Sequence, residues 1–165
     1  MWNFFIIGFS VAVAAGDIAW GKIPTFLTTI GILAGLGFHT IYGGLGSAAF
    51  AAFIGFSLGL TLFHIGAIGG GDVKLIAALG ALLGLSRWLI AMKYAILCAG
   101  LIALAQILRS GRLRESLGNM GELLRWFSSM GYKPHPVITV ANSSALRSPF
   151  ALAAACGVFA AVLLP

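Results

Sequence analysis

The chain has 165 residues, 60% of them hydrophobic and only 8% charged, with a mean hydropathy of +1.04. A soluble domain is about one quarter charged, so ten Lys and Arg with four Asp and Glu cannot coat a water-facing globule, and the composition is that of a polytopic membrane protein. The net charge of +6 reads as loops sorted across a bilayer rather than as a nucleic-acid footprint. Cys98 and Cys156 both lie in apolar stretches outside any Cys-x-x-Cys pair and give no support to a disulfide or a zinc site.

Residues 2–20 form a first apolar span. Met1-Trp2-Asn3 carries no basic n-region, so Ala12-Val13-Ala14, although it resembles a signal cleavage site, reads as part of an uncut helix. Positions 23–71 then hold no charge for 49 residues, more than twice the roughly 20 that cross a hydrocarbon core. The break falls at Tyr42-Gly43-Gly44-Leu45-Gly46, where glycines favour a turn, and gives spans near 23–42 and 46–67. A fourth span at 73–87 is short, a fifth covers 88–108, and the last covers 149–164. Residues 109–148 form the one sizeable segment between spans. In it Leu113, Leu117, Met120, Leu124 and Phe127 make one helical stripe, with Arg114, Glu115, Asn119, Glu122 and Arg125 on the other faces. That pattern, with Trp126 suited to the headgroup layer, reads as an amphipathic helix lying on the cytoplasmic leaflet, ended by Lys133-Pro134-His135-Pro136.

Loop charge decides the number of crossings. With six spans, Lys22, Lys74, Arg109, Arg112, Arg114, Arg125, Lys133 and Arg147 share one side, eight of the ten basic residues, leaving Arg87 and Lys93 near the other face. The expected fold is therefore all-α: one domain over 1–165, a six-transmembrane-helix bundle with an interfacial helix between spans five and six. Both termini are expected outside the cytoplasm.

Glu115 and Glu122 belong to the surface helix; Asp17 and Asp72 each sit at the edge of an apolar span. Placing a carboxylate near hydrocarbon costs at least a few kcal/mol, which makes both functional candidates. The topology sets the end of the first span and the start of the fourth on the same side, so the two acids lie at similar depth and can meet. Asp72 follows Gly69-Gly70-Gly71 and opens a helix, where free N–H groups and the macrodipole favour an anion, with Lys74 nearby. Asp17 sits near the end of its helix. Two close carboxylates share one proton, with Asp72 expected to hold the charge and Asp17 the hydrogen, although the titration belongs to the pair. Such a pair supports peptide hydrolysis: the ionised carboxylate takes a proton from water while its partner polarises the scissile carbonyl. Glycines 69–71 let a substrate backbone approach closely.

These residues resemble a family. Gly69-Gly70-Gly71-Asp72-Val73-Lys74 fits the Gly-x-Gly-Asp-x-Lys pattern of type IV prepilin peptidases. Asp17, five intervening residues and Ile23-Pro24 resemble the family's first signature, and Arg147-Ser148-Pro149-Phe150 resembles its closing Arg-x-Pro-Tyr element. The short length is similar to the tight-adherence pilus branch. The resemblance implies an aspartic endopeptidase of the bacterial inner membrane that removes the charged leader of prepilin-like proteins at the cytoplasmic face, cutting after a glycine before the pilin's apolar helix. It implies Asp17 and Asp72 as the catalytic pair, with Gly69, Gly71, Lys74, Ile23 and Pro24 as supporting motif residues. No cofactor is expected. The partners it implies are a prepilin or pseudopilin helix and membrane lipid, without nucleic acid. Thr25 stands where the family has Asn and is expected to cap the second helix; Phe150 stands for Tyr and lacks its hydroxyl. Larger members carry an N-terminal methyltransferase region with paired Cys-x-x-Cys motifs. This chain has two cysteines, so cleavage without N-methylation is expected.

Gly-x-Gly-Asp also occurs in presenilin-like proteases, which pair it with Tyr-Asp, whereas Asp17 follows Gly16. A different class, a small proton-coupled transporter or a membrane assembly subunit, would use the same acids as a proton relay. Transporters usually show two corresponding broken helices, and one glycine break beside an acid is present here without a matching half. His39, His64 and His135 lack ligand-like spacing, so packing or interfacial roles are expected and no metal.

Overall fold

The computed structural model describes residues 1–21, 23–111 and 150–163, together with Gly118, Asn119, Gly121, Glu122, Arg125, Ser128 and Ser129. Among the described residues the regular structure is all helical. It comprises α1 (Trp2–Trp20), α2 (Thr25–Tyr42), α3 (Leu45–His64), α4 (Gly70–Ser110) and α5 (Phe150–Leu163). The first four are long and apolar enough to cross a membrane; α5 is a shorter apolar helix.

The helices form because long apolar runs in hydrocarbon must satisfy every backbone N–H and C=O internally. Their ends fall where the charges and glycines put them. α2 stops at Tyr42, and Gly43 and Gly44, both at positive φ, turn the chain into α3. α3 ends at His64, a few residues before the boundary expected near 67, because Ile65 to Ile68 turn towards the glycine run, with Gly66 at φ 77°.

The centre of the bundle is the first arm of α4. Residues 75–84 are all buried, as expected of a helix that is apolar on every face. α2, α3 and α5 pack around α4, and α1 closes against α5. Close approach depends on small residues. A Cβ at Gly35 would stand 2.5 Å from the Ala81 carbonyl, and one at Gly80 2.7 Å from that of Ala51, so the helix backbones nearly touch. Ile6, Val13, Leu79, Leu82, Trp88 and Val158 fill the remaining space.

α4 is interrupted at Gly84, with φ 69° and ψ 171°, a conformation that essentially only glycine adopts. The expected boundary at Arg87 thus lies three residues too late: charge marks where a chain meets the headgroups, but backbone freedom marks where it can bend. Two bonds hold the bend. The Leu85 N–H donates to Ser47 Oγ at 2.9 Å, and the Trp88 indole donates to the Ile76 carbonyl at 3.2 Å, joining the second arm to the first.

The apolar stripe at 113, 117, 120, 124 and 127 lies outside the described residues, as do Lys22, Lys133 to Pro136 and Arg147 to Pro149. The described positions within 118–129 are helical and exposed.

Candidate active site

Asp17 lies in the last turn of α1, whose end is fixed by Gly21 in the left-handed conformation (φ 61°), its N–H donating to the Asp17 carbonyl at 2.8 Å. The chain then reaches Ile23 and Pro24; Pro24, with φ −63° and ψ 124°, is the residue from which α2 starts. Asp72 occupies the first turn of α4. Its Oδ2 accepts the Gly69 N–H at 3.1 Å, satisfying one of the donors that a helix start leaves free. Both aspartates are partly buried.

The two sequence motifs, about fifty residues apart, are packed on one another. Gly71 faces Ile23: a Cβ there would stand 3.1 Å from Ile23 Cβ and 3.6 Å from its backbone nitrogen. The Lys74 ammonium donates to Thr25 Oγ1 at 3.0 Å, tying α4 to the first residue of α2. Thr25 therefore does not cap α2 through its side chain, as expected from sequence; the helix start carries no side-chain cap, and the hydroxyl serves Lys74 instead. Ile23 on Gly71 and Thr25 on Lys74 thus bring the segment that follows Asp17 against the first turn of α4, which carries Asp72.

A third element enters that sequence reasoning missed. The Ala151 N–H, one residue into α5, donates to Asp17 Oδ2 at 3.4 Å. Each carboxylate is thus met by the amino end of a helix, Asp72 by α4 and Asp17 by α5. The contrast expected from chain position alone, one acid at a helix start and the other at a helix end, is smaller than it looked. No local signal could reveal this, because the contact joins residues 134 positions apart. Phe150, at the start of α5, packs partly buried against the core.

His64, near the end of α3, is at the aspartate end of the bundle and His39, near the end of α2, at the other. Among the described residues no group of three or more His, Cys, Asp or Glu side chains is placed to hold a metal ion. The chemistry within reach is that of two partly desolvated carboxylates, each met by a backbone donor, suited to proton transfer.

A family model described as the type IV leader peptidase family matches residues 4–104, a stretch that contains both aspartates and both motifs and ends before α5. Neither the curated proteins nor the solved structures give a match.

Proposed function

The chain belongs to the type IV leader peptidase family, and from that membership we propose that it is a membrane-embedded aspartic endopeptidase that removes the leader of prepilin-like proteins. The observation that carries the reading is the junction of the two motifs, Gly71 on Ile23 and Lys74 on Thr25, at the end of the bundle where Asp17 and Asp72 lie. One carboxylate takes a proton from a water molecule as its oxygen attacks the scissile carbonyl carbon. The protonated partner donates to the carbonyl oxygen, and the C–N bond then breaks as a proton passes to the leaving amine. The Gly69 and Ala151 N–H groups hold the two carboxylates in place.

The bundle crosses six times, with α4 counted twice and α5 last. At 41 residues a straight α4 would be about 60 Å long, twice the hydrocarbon thickness, and the break at Gly84 with the Trp88–Ile76 bond supports two arms lying side by side. The six-span order assigns eight of the ten Lys and Arg to the side of the aspartates, which favours an inner-membrane topology with the site at the cytoplasmic face and both termini outside.

Coexpression with a candidate prepilin, scored by the mass of the pilin, tests the reading. Asp17→Asn and Asp72→Asn should each abolish leader removal while the protein still reaches the membrane. Cleavage that survives either change would contradict the mechanism and favour a proton relay in a transporter or assembly subunit.

A further inference from the structure

The chain's two cysteines, Cys98 and Cys156, are 58 positions apart and belong to different helices, the second arm of α4 and α5, yet the packing brings them together. The seam between these helices is closed by Gly157, whose Cβ would stand 2.8 Å from the Ala95 nitrogen and 3.0 Å from Ala95 Cβ. Ala91, Ala95 and Cys98 recur at spacings of four and three, so the cysteine continues the face of α4 that meets Gly157. Cys156 stands immediately before Gly157.

The two helices run antiparallel. The second arm leaves the break at Gly84, near the end of the bundle where the Trp2 indole donates to the Leu82 carbonyl, whereas α5 begins at the other end, where the Ala151 N–H meets Asp17. Cys98 lies three residues, about 4.5 Å, from Ala95 towards the aspartate end. Side chains lean towards the N-terminus of their own helix, so Cys98 leans away from that end and Cys156 leans towards it. The opposite leans close the axial gap, and the two thiols stand within hydrogen-bonding reach of each other.

The pair opens onto the outside of the bundle: Cys156 is exposed and Cys98 half-buried. Leu152 and Phe159 share the outward stripe of Cys156, and Leu97 is exposed beside Cys98. Cys156 is about 9 Å along α5 from its start and about 10 Å from its end, so this stripe faces hydrocarbon. An oxidant that reaches it is one that dissolves in lipid.

We propose that Cys98 and Cys156 form a redox site that a membrane quinone closes to a disulfide, clamping α5 onto α4. Both S–H bonds break and one S–S bond forms. The two electrons and two protons pass to the quinone, which leaves as the quinol. The bridge fastens α5 five residues from Ala151, the donor to Asp17. The inference rests on the packing of α4 with α5 and is independent of the peptidase mechanism.

The test treats purified full-length protein in liposomes with decylubiquinone, then denatures it and adds N-ethylmaleimide. The expected product is a monomer two mass units lighter that takes up no maleimide, and prior reduction with dithiothreitol should restore two adducts. Because the chain has two cysteines, such a monomer holds this bridge. The bridged protein should melt about 5 °C higher than the reduced one, since the link constrains the unfolded chain. Cys98→Ser combined with Gly100→Cys moves one thiol to an exposed position about 200° around the helix and should abolish bridging. If that variant fails to fold, the wild-type protein decides, since unfolding it before quinone is added should slow bridging by at least about tenfold. Two maleimide adducts after quinone treatment, a disulfide-linked dimer in place of the bridged monomer, a bridged monomer that melts no higher, or equal bridging in the relocated variant or the unfolded protein overturns the proposal.

Discussion

Gly71 is the tightest link between the two motifs, and enlarging it should separate the acids without unfolding the bundle. A Cβ at this position would lie 3.1 Å from Ile23 Cβ, against an optimal carbon–carbon separation of about 3.5–4.0 Å, so alanine demands a retreat of roughly half an ångström. Ile23 precedes Pro24, from which α2 starts, so it yields by shifting the beginning of that helix and with it Thr25, the partner of Lys74. Valine adds two methyl groups to the same seam. Overpacking of this kind costs about 1–3 kcal/mol of stability, which the helix bundle tolerates. A misplacement near 1 Å can cost about 10²-fold in rate. Leader cleavage, followed by pilin mass on coexpression, should fall about tenfold for Gly71→Ala and about 10²-fold for Gly71→Val on the same scale. Gly70 supplies the control: among the described residues its Cβ would meet only Phe63 Cε2, at 3.7 Å. Gly70→Ala should therefore keep activity within about twofold and gain a few tenths of a kcal/mol or more of helix propensity. Wild-type cleavage by Gly71→Val, or equal losses at both glycines, would refute the argument.

Thr25→Val and Lys74→Met each remove the bond between α2 and α4. Because both partners are exposed, the loss in stability should be at most about 1 kcal/mol, while cleavage drops more than stability does; Thr25→Asn, which keeps an acceptor, should retain activity. Gly84→Ala forces a side chain into a backbone region reserved for glycine and should lower thermal stability in detergent by about 1–3 kcal/mol. Ser47→Ala deprives the Leu85 N–H of its acceptor and should cost about 0.5–2 kcal/mol in the same measurement, as the loss of a helix cap does.

Much of the frame was legible because lipid imposes simple rules. Apolar runs of membrane-crossing length gave the bounds of α1, the start of α2 within two residues and the end of α3 three residues late, and Gly43-Gly44 marked the turn between α2 and α3. Asp72 at a helix start followed from the glycine run before it, and its capping of Gly69 is the outcome. The break in α4 was misplaced because Arg87 announced the membrane surface, whereas the chain bends where Gly84 lets it. The role of Thr25 was misread because a residue beside a helix start has two options, to cap its own helix or to serve a neighbour. Only the approach of Lys74, 49 positions away, decides. The Ala151 contact to Asp17 was invisible for the same reason: a backbone donor has no sequence signature.

The account depends on Asp17 and Asp72 converging at one level of the bundle, and proximity can be measured without any substrate. In full-length protein with Cys98 and Cys156 replaced by serine, the pair Asp17→Cys and Asp72→Cys should react with a short bismaleimide to give, by mass, one reagent bridging both thiols of a single chain. Two separately capped thiols and no bridged product, from protein that remains folded in the membrane, would contradict it.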